Sequence, residues 1–147
     1  MKSYDCLKLE NQLCFPLYAC SKEIVRRYKP FLDELDLTYT QYITMMVMWE
    51  HGTIGMKQLG EMLYLDSGTL TPLLRKLEQK GLIARIRNEE DERNVNVTIT
   101  DSGMKLRKSA ESVPEAVGKC IDLNQQEAIM LYGLLQKVIG GFINGQK

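Results

Sequence analysis

The chain has 147 residues, 44% hydrophobic and 26% charged, with a formal net charge of zero. Such a composition fits one globular domain and excludes a disordered chain. The longest mainly apolar run, Ile43 to Trp49, is too short to cross a bilayer, and the N-terminus carries charges where a signal peptide needs an apolar core, so a cytoplasmic protein is expected.

Residues 7 to about 29 read as a long first helix, with Leu9, Leu13, Leu17, Ile24 and Phe31 near one stripe. Pro16 removes a backbone bond and crowds the turn before it, so either a kink or a start near Asn11 is expected. Pro30 should help end this helix. Thr38 and Gln41 have the spacing of a capping box. The helix that follows, Tyr39 to Glu50, is apolar around much of its girth and belongs at the centre of the domain. His51 and Gly52 end it.

Met56 to Leu63 reads as a short helix with Leu59, Met62 and Leu63 inward. Ser67 to Gln79 reads as a second, with Leu70, Leu73, Leu74 and Leu77 at helical spacing. Two helices joined by a tight turn make a helix-turn-helix. Beyond Gly81 come two strand-like runs, LIARIR and VNVTIT; Val95, Val97 and Ile99 alternate with Asn96, Thr98 and Thr100. The polar NEEDERN between them is a hairpin tip. Asp101 to about Ala116 reads as helical, and Asn124 to Glu127 is a second capping box, opening an apolar helix that runs to Ile143.

The fold class expected is mainly α with a small β-hairpin wing. Residues about 36–100 would form a winged helix-turn-helix DNA-binding lobe. The helices in about 1–35 and 101–147 carry more apolar surface than that lobe can cover, which suggests a dimerisation layer within one domain, 1–147. A two-fold dimer suits DNA, because recognition helices about 34 Å apart meet successive major grooves.

Overall neutrality argues weakly against a DNA binder, but the charge is unevenly placed. Arg75, Lys76, Lys80, Arg85 and Arg87 face only Glu78 in the same stretch, and the acids gather in Glu89 to Glu92. Local charge governs phosphate binding, because salt screens beyond about 10 Å. Ser67, Thr69 and Thr71, at the start of the second helix, are placed for base contacts. Arg75 and Lys76 suit phosphates, and Arg85 and Arg87 extend the basic surface. Arg93 at the wing is placed for a minor groove. Read without relatives, Glu89 to Arg93 is a solvated turn.

The four cysteines, Cys6, Cys14, Cys20 and Cys120, lack metal-ligand spacing and His51 stands alone, so no metal or cofactor is expected. In a reducing compartment they are thiols. Tyr18 lies four residues past Cys14, on the same helix face. Tyr28 lies near that face too, but about 21 Å along the axis at 1.5 Å per residue, so only the Tyr28 of a crossed or antiparallel partner would reach the thiol. Spacing alone favours Cys14 as a small buried hydrophobe.

The sequence resembles the MarR family of winged-helix regulators, and within it the organic-hydroperoxide-sensing, OhrR-type branch. The matching residues are Asn11-Gln12-Leu13-Cys14-Phe15, Asp36-Leu37-Thr38-Tyr39 with Gln41-Tyr42, Leu63 to Leu74, Asp91-Glu92-Arg93, and Thr100 with Gly103. Pro16 departs from the branch. The resemblance implies a homodimeric repressor of a pseudo-palindromic operator. It implies that organic hydroperoxide oxidises Cys14 and the dimer then leaves the DNA. It places the partner's tyrosines, at positions matching Tyr28 and Tyr39, on the thiol, and it implies that Asp91 pairs with an arginine to hold the wing. Some members carry a resolving cysteine from the other subunit near the position of Cys120. Two other readings are a MarR-type regulator released by an apolar or phenolic effector, with Cys14 incidental, and a catalytic thiol peroxidase. The peroxidase reading is disfavoured, because no clear resolving pair is visible and the winged helix would have no purpose.

Overall fold

The structure, a computed structural model, describes residues 4–91 and 93–145. Glu92, part of the acidic run and of the Asp91-Glu92-Arg93 match, lies outside the described residues. The chain divides into two compact units, Met1–Pro114 and Glu115–Lys147.

The first unit opens with two 3-10 turns, Asp5–Leu7 and Leu9–Asn11, before α1, Cys14–Asp33. The Gln12 amide donates to the Cys6 carbonyl at 2.6 Å and to the Lys8 carbonyl at 3.0 Å, folding this lead-in back on itself. The helix therefore starts neither at residue 7 nor at Asn11. Pro16 is its third residue, and the first four N–H groups of a helix have no intrahelical partner, so no bond is lost there. Pro30 does not end the helix either: it lies inside α1, which runs on to Asp33. Only the carbonyl of Arg26 loses its N–H partner, and Arg26 is exposed to water. The chain turns at Asp36, in the left-handed region at φ 53, where the Leu37 amide donates to the Leu32 carbonyl.

Helix α2, Tyr39–His51, carries the expected capping box, with the Gln41 amide donating to the Thr38 hydroxyl and the Thr38 amide to Gln41 Oε1. Tyr42, Met45, Val47 and Met48 are buried, so α2 is central as expected, although Met46 is 45% exposed. The three-residue strand β1, Thr53–Gly55, follows directly. It was not anticipated, because three residues are too few to show an alternating pattern. It pairs with β3, Val95–Ile99, which also pairs with β2, Ile83–Arg87, giving an antiparallel sheet of order β1-β3-β2.

Helix α3, Met56–Leu63, buries Leu59, while Met62, expected inward, is 42% exposed. Tyr64 then takes the left-handed conformation and the Leu65 amide donates to the Gly60 carbonyl at 2.9 Å, a Schellman-type stop. A Cβ on Gly60 would stand 2.9 Å from the Leu65 carbonyl oxygen, so only glycine permits so tight a turn. Helix α4, Ser67–Gln79, begins at an Asp66 cap whose carboxylate accepts from the Thr69 amide at 2.8 Å. Leu70, Leu73, Leu74 and Leu77 are all buried, which leaves the polar face outward.

Helix α5, Asp101–Ala110, is capped by Thr100. The Trp49 indole donates to the Gly103 carbonyl at 2.8 Å, tying α2 to it. The expected single helix from Asp101 to Ala116 is in fact broken at Glu111–Ser112, and α6 starts at Val113. Pro114 explains the break, since it has no N–H for the Ala110 carbonyl and crowds it. The second unit contains most of α6, Val113–Gly118, and α7, Gln125–Asn144, which opens on the expected Asn124–Glu127 capping box. No helix among the described residues is long and apolar enough to cross a membrane.

Candidate nucleic-acid interface and thiol site

Helices α3 and α4 form the helix-turn-helix, and β2 and β3 form the wing. On the open face of α4, Ser67, Thr69, Arg75 and Lys76 are exposed and Thr71 is half-buried. Arg87 and Arg93 are exposed along and at the end of the wing. Arg85 is used differently. Its guanidinium lies 3.2 Å from the Glu78 carboxylate and its backbone amide donates to the same group at 3.0 Å. That carboxylate ties α4 to β2, and the hydrogen bonds from Arg85 hold Glu78 below its ordinary carboxylate range. Asp91 also departs from expectation. Its carboxylate accepts from the Arg93 backbone amide at 3.0 Å and the Asn94 amide at 3.3 Å, so among the described residues it holds the turn without a guanidinium partner.

All four thiols are free and exposed, which removes the reading of Cys14 as a buried hydrophobe within one chain. Cys14 is the first residue of α1, the helix end that favours negative charge. Leu9, Phe15, Lys8 and Glu10 line a shallow depression beside it in the chain. Tyr18 is exposed, with the Lys22 ammonium 5.1 Å from its ring centre. Tyr28 and Tyr39 come together, their ring centres 5.0 Å apart. They belong to a larger aromatic cluster, because Tyr28 also lies 5.7 Å from Tyr42, and Tyr42 lies 6.3 Å from Trp49. Tyr42 was missed, though it is three residues past Tyr39 and so on its face. Burial, then the neighbouring Tyr39, pushes the Tyr28 hydroxyl upward; burial and both neighbours do the same to Tyr42. These groups therefore remain protonated donors at neutral pH. The distance along α1 keeps Tyr28 away from Cys14 of its own chain, as the spacing predicts. Cys120 follows α6 in the second unit, its thiol 3.7 Å from the Ala116 carbonyl.

A three-stranded sheet edged by a helix-turn-helix with a polar, partly basic outer face defines a winged-helix DNA-binding regulator. The family model for the transcriptional regulator SarA/Rot matches residues 26–109, more than half of the chain. The organic hydroperoxide resistance transcriptional regulator of Bacillus subtilis is 51% identical over 123 residues, 84% of this chain and 82% of its own. The regulator SarZ of Staphylococcus haemolyticus is 44% identical over 131 residues, 89% of each chain. Among solved structures, reduced AbfR bound to DNA superposes with a TM-score of 0.76 at 33% identity, covering 93% of this chain and 96% of that one. AbfR also occurs overoxidised on DNA and with a disulfide formed. The chain belongs to the MarR-type winged-helix regulators, in their organic-hydroperoxide-sensing, OhrR-type branch. It is a transcriptional regulator and not an enzyme.

Proposed function

We propose that the protein is a cytoplasmic, homodimeric repressor that binds a pseudo-palindromic operator in its reduced state and releases it when an organic hydroperoxide oxidises Cys14. The observation that carries this reading is the exposed thiol at the start of α1, in a chain about half identical to a hydroperoxide resistance regulator. The attacking form is the thiolate. It displaces alkoxide from the peroxide, which takes up a proton, leaving a sulfenic acid on Cys14. Leu9 and Phe15 offer apolar surface for the organic group. Tyr18 of the same chain, with Tyr28 and Tyr39 of a second copy, supplies hydroxyl donors.

The sulfenic acid then reacts with a second thiol to give a disulfide and water. A relative whose structure is overoxidised yet still on DNA favours the disulfide as the releasing state. The second sulfur is a small cellular thiol or Cys120 of the partner subunit, and the non-reduced mass of the oxidised protein separates the two. On DNA, Ser67, Thr69 and Thr71 read bases, Arg75, Lys76 and Arg87 hold phosphate, and Arg93 enters the minor groove. Arg85 supports them through Glu78, and Asp91 shapes the wing. The whole chain acts as one MarR-type domain, its outer helices closing the dimer.

The test follows operator binding of reduced protein as cumene hydroperoxide is added. Wild type should release and Cys14→Ser should stay bound. If both stay bound or both release, the thiol mechanism is wrong and a small-molecule effector becomes the better reading.

A further inference from the structure

Lys80 is the C-cap of the recognition helix α4, and its side chain crosses to the start of α2. The ammonium donates to Gln41 Oε1 at 3.1 Å and to the backbone carbonyl of Asp36, and lies 3.5 Å from the Asp36 carboxylate. Gln41 is only 3% exposed, and the same Oε1 accepts from the Thr38 amide to close the α2 capping box. Asp36 is the left-handed residue of the α1–α2 turn. Between these two acceptors stands Tyr39, the first residue of α2, with its ring against Tyr28. One cation therefore joins the turn that positions two tyrosines to the end of the helix that enters DNA.

An exposed ion pair by itself stabilises little. Here, however, three acceptor atoms on Asp36 and Gln41 converge on one ammonium, from a segment about forty residues earlier in the chain. We propose that Lys80 is a positioning residue that couples the state of the thiol site to the pose of α4. A shift of Tyr28 or Tyr39 on oxidation of Cys14 displaces the first turn of α2, and Lys80 carries that displacement to the C-terminal end of α4. The inference rests on the reading that Cys14 oxidation releases DNA.

Contiguity alone does not establish coupling, so the test measures coupling itself. Full-length wild type, Lys80→Met and Asp36→Asn are compared. The first keeps the aliphatic stem, and the second keeps a residue tolerant of the left-handed conformation. Three quantities are read: the rate of Cys14 sulfenic acid formation by dimedone adduct mass, and the operator Kd of the reduced and of the oxidised protein. The oxidation rate should match wild type in both variants. The ratio of oxidised to reduced Kd should fall by about tenfold or more in Lys80→Met and by less in Asp36→Asn. A wild-type ratio in both variants overturns the inference, whatever happens to their melting temperatures. Should Lys80→Met fail to fold, Asp36→Asn decides alone. If wild type does not respond to hydroperoxide, or Cys14→Ser does, the underlying reading falls and this inference falls with it. A responding wild type beside unaltered variants sinks this inference only.

Discussion

Glu78 has two partners on one neighbour, the guanidinium and the backbone amide of Arg85, and these bonds are strongest while its carboxyl is ionised. Because its folded value lies below the ordinary one, the stabilisation is present above the unfolded carboxylate range and is lost as pH falls through the folded value. Glu78→Gln should therefore lower the urea midpoint at pH 7, and the gap from wild type should close in acid below about pH 4. A gap independent of pH would mean that packing, not charge, holds α4 to β2. Tyr28 and Tyr42 act with the opposite sign. Their raised values preserve stability below about pH 10, the unfolded tyrosine value, and stability declines above it. Single residues were unevenly legible. Thr38 and Gln41 stood out because a capping box is a local pattern, whereas Cys14 stood out only through the family resemblance. The Arg85–Glu78 and Lys80–Gln41 links were invisible, because they depend on which strand or helix lies opposite.

Elements were more legible than their ends. The leucine stripe of α4, the two capping boxes and the alternation in β3 each follow from a period that a short stretch of chain displays. The ends failed where a proline's effect depends on its position: Pro16 falls on orphan N–H groups, Pro30 leaves only the exposed Arg26 without a partner, and Pro114 alone breaks a helix. The junction of wing and α5 was matched by Thr100 with Gly103, and the structure supplies the reason. A Cβ on Gly103 would lie 2.3 Å from the Leu82 carbonyl oxygen and 2.7 Å from Ile99 Cγ1. The first of these contacts is backbone and cannot rotate away, while the Gly103 carbonyl is held by Trp49. Gly103→Ala should cost about 3 kcal/mol, the upper end for overpacking, and lower the melting temperature by about 10 °C or more by calorimetry. A shift of only a degree or two would show that α5 can move off the sheet.

For the molecule as a whole, the decisive observation is apolar surface that a single copy leaves uncovered. Helix α7 buries no described side chain, and Ile129, Tyr132 and Phe142 are each about two-thirds exposed. Leu13, the N-cap of α1, and Phe15, Leu17 and Ile24 on the helix itself are also open. Soluble monomers rarely leave a helix as apolar as α7 without a buried face, and a second copy of the chain is the occupant the proposed repressor needs. A charge placed in such an interface is costly to bury but harmless to an exposed helix surface. Leu134→Glu, at an exposed position of α7, should therefore keep its helical circular dichroism while sedimenting as a monomer where wild type sediments as a dimer. Losing the second recognition helix removes the effective concentration that binds one half-site once the other is filled, so operator affinity should fall by about a hundredfold or more. The same variant should respond to hydroperoxide more slowly, because Tyr28 and Tyr39 would no longer meet a neighbouring Cys14. A Leu134→Glu protein that remains dimeric and binds the operator as wild type does would place the interface elsewhere. A monomer whose Cys14 oxidises at the wild-type rate would instead place all the activating groups within one chain, leaving Tyr18 as the only tyrosine within a helical turn of the thiol.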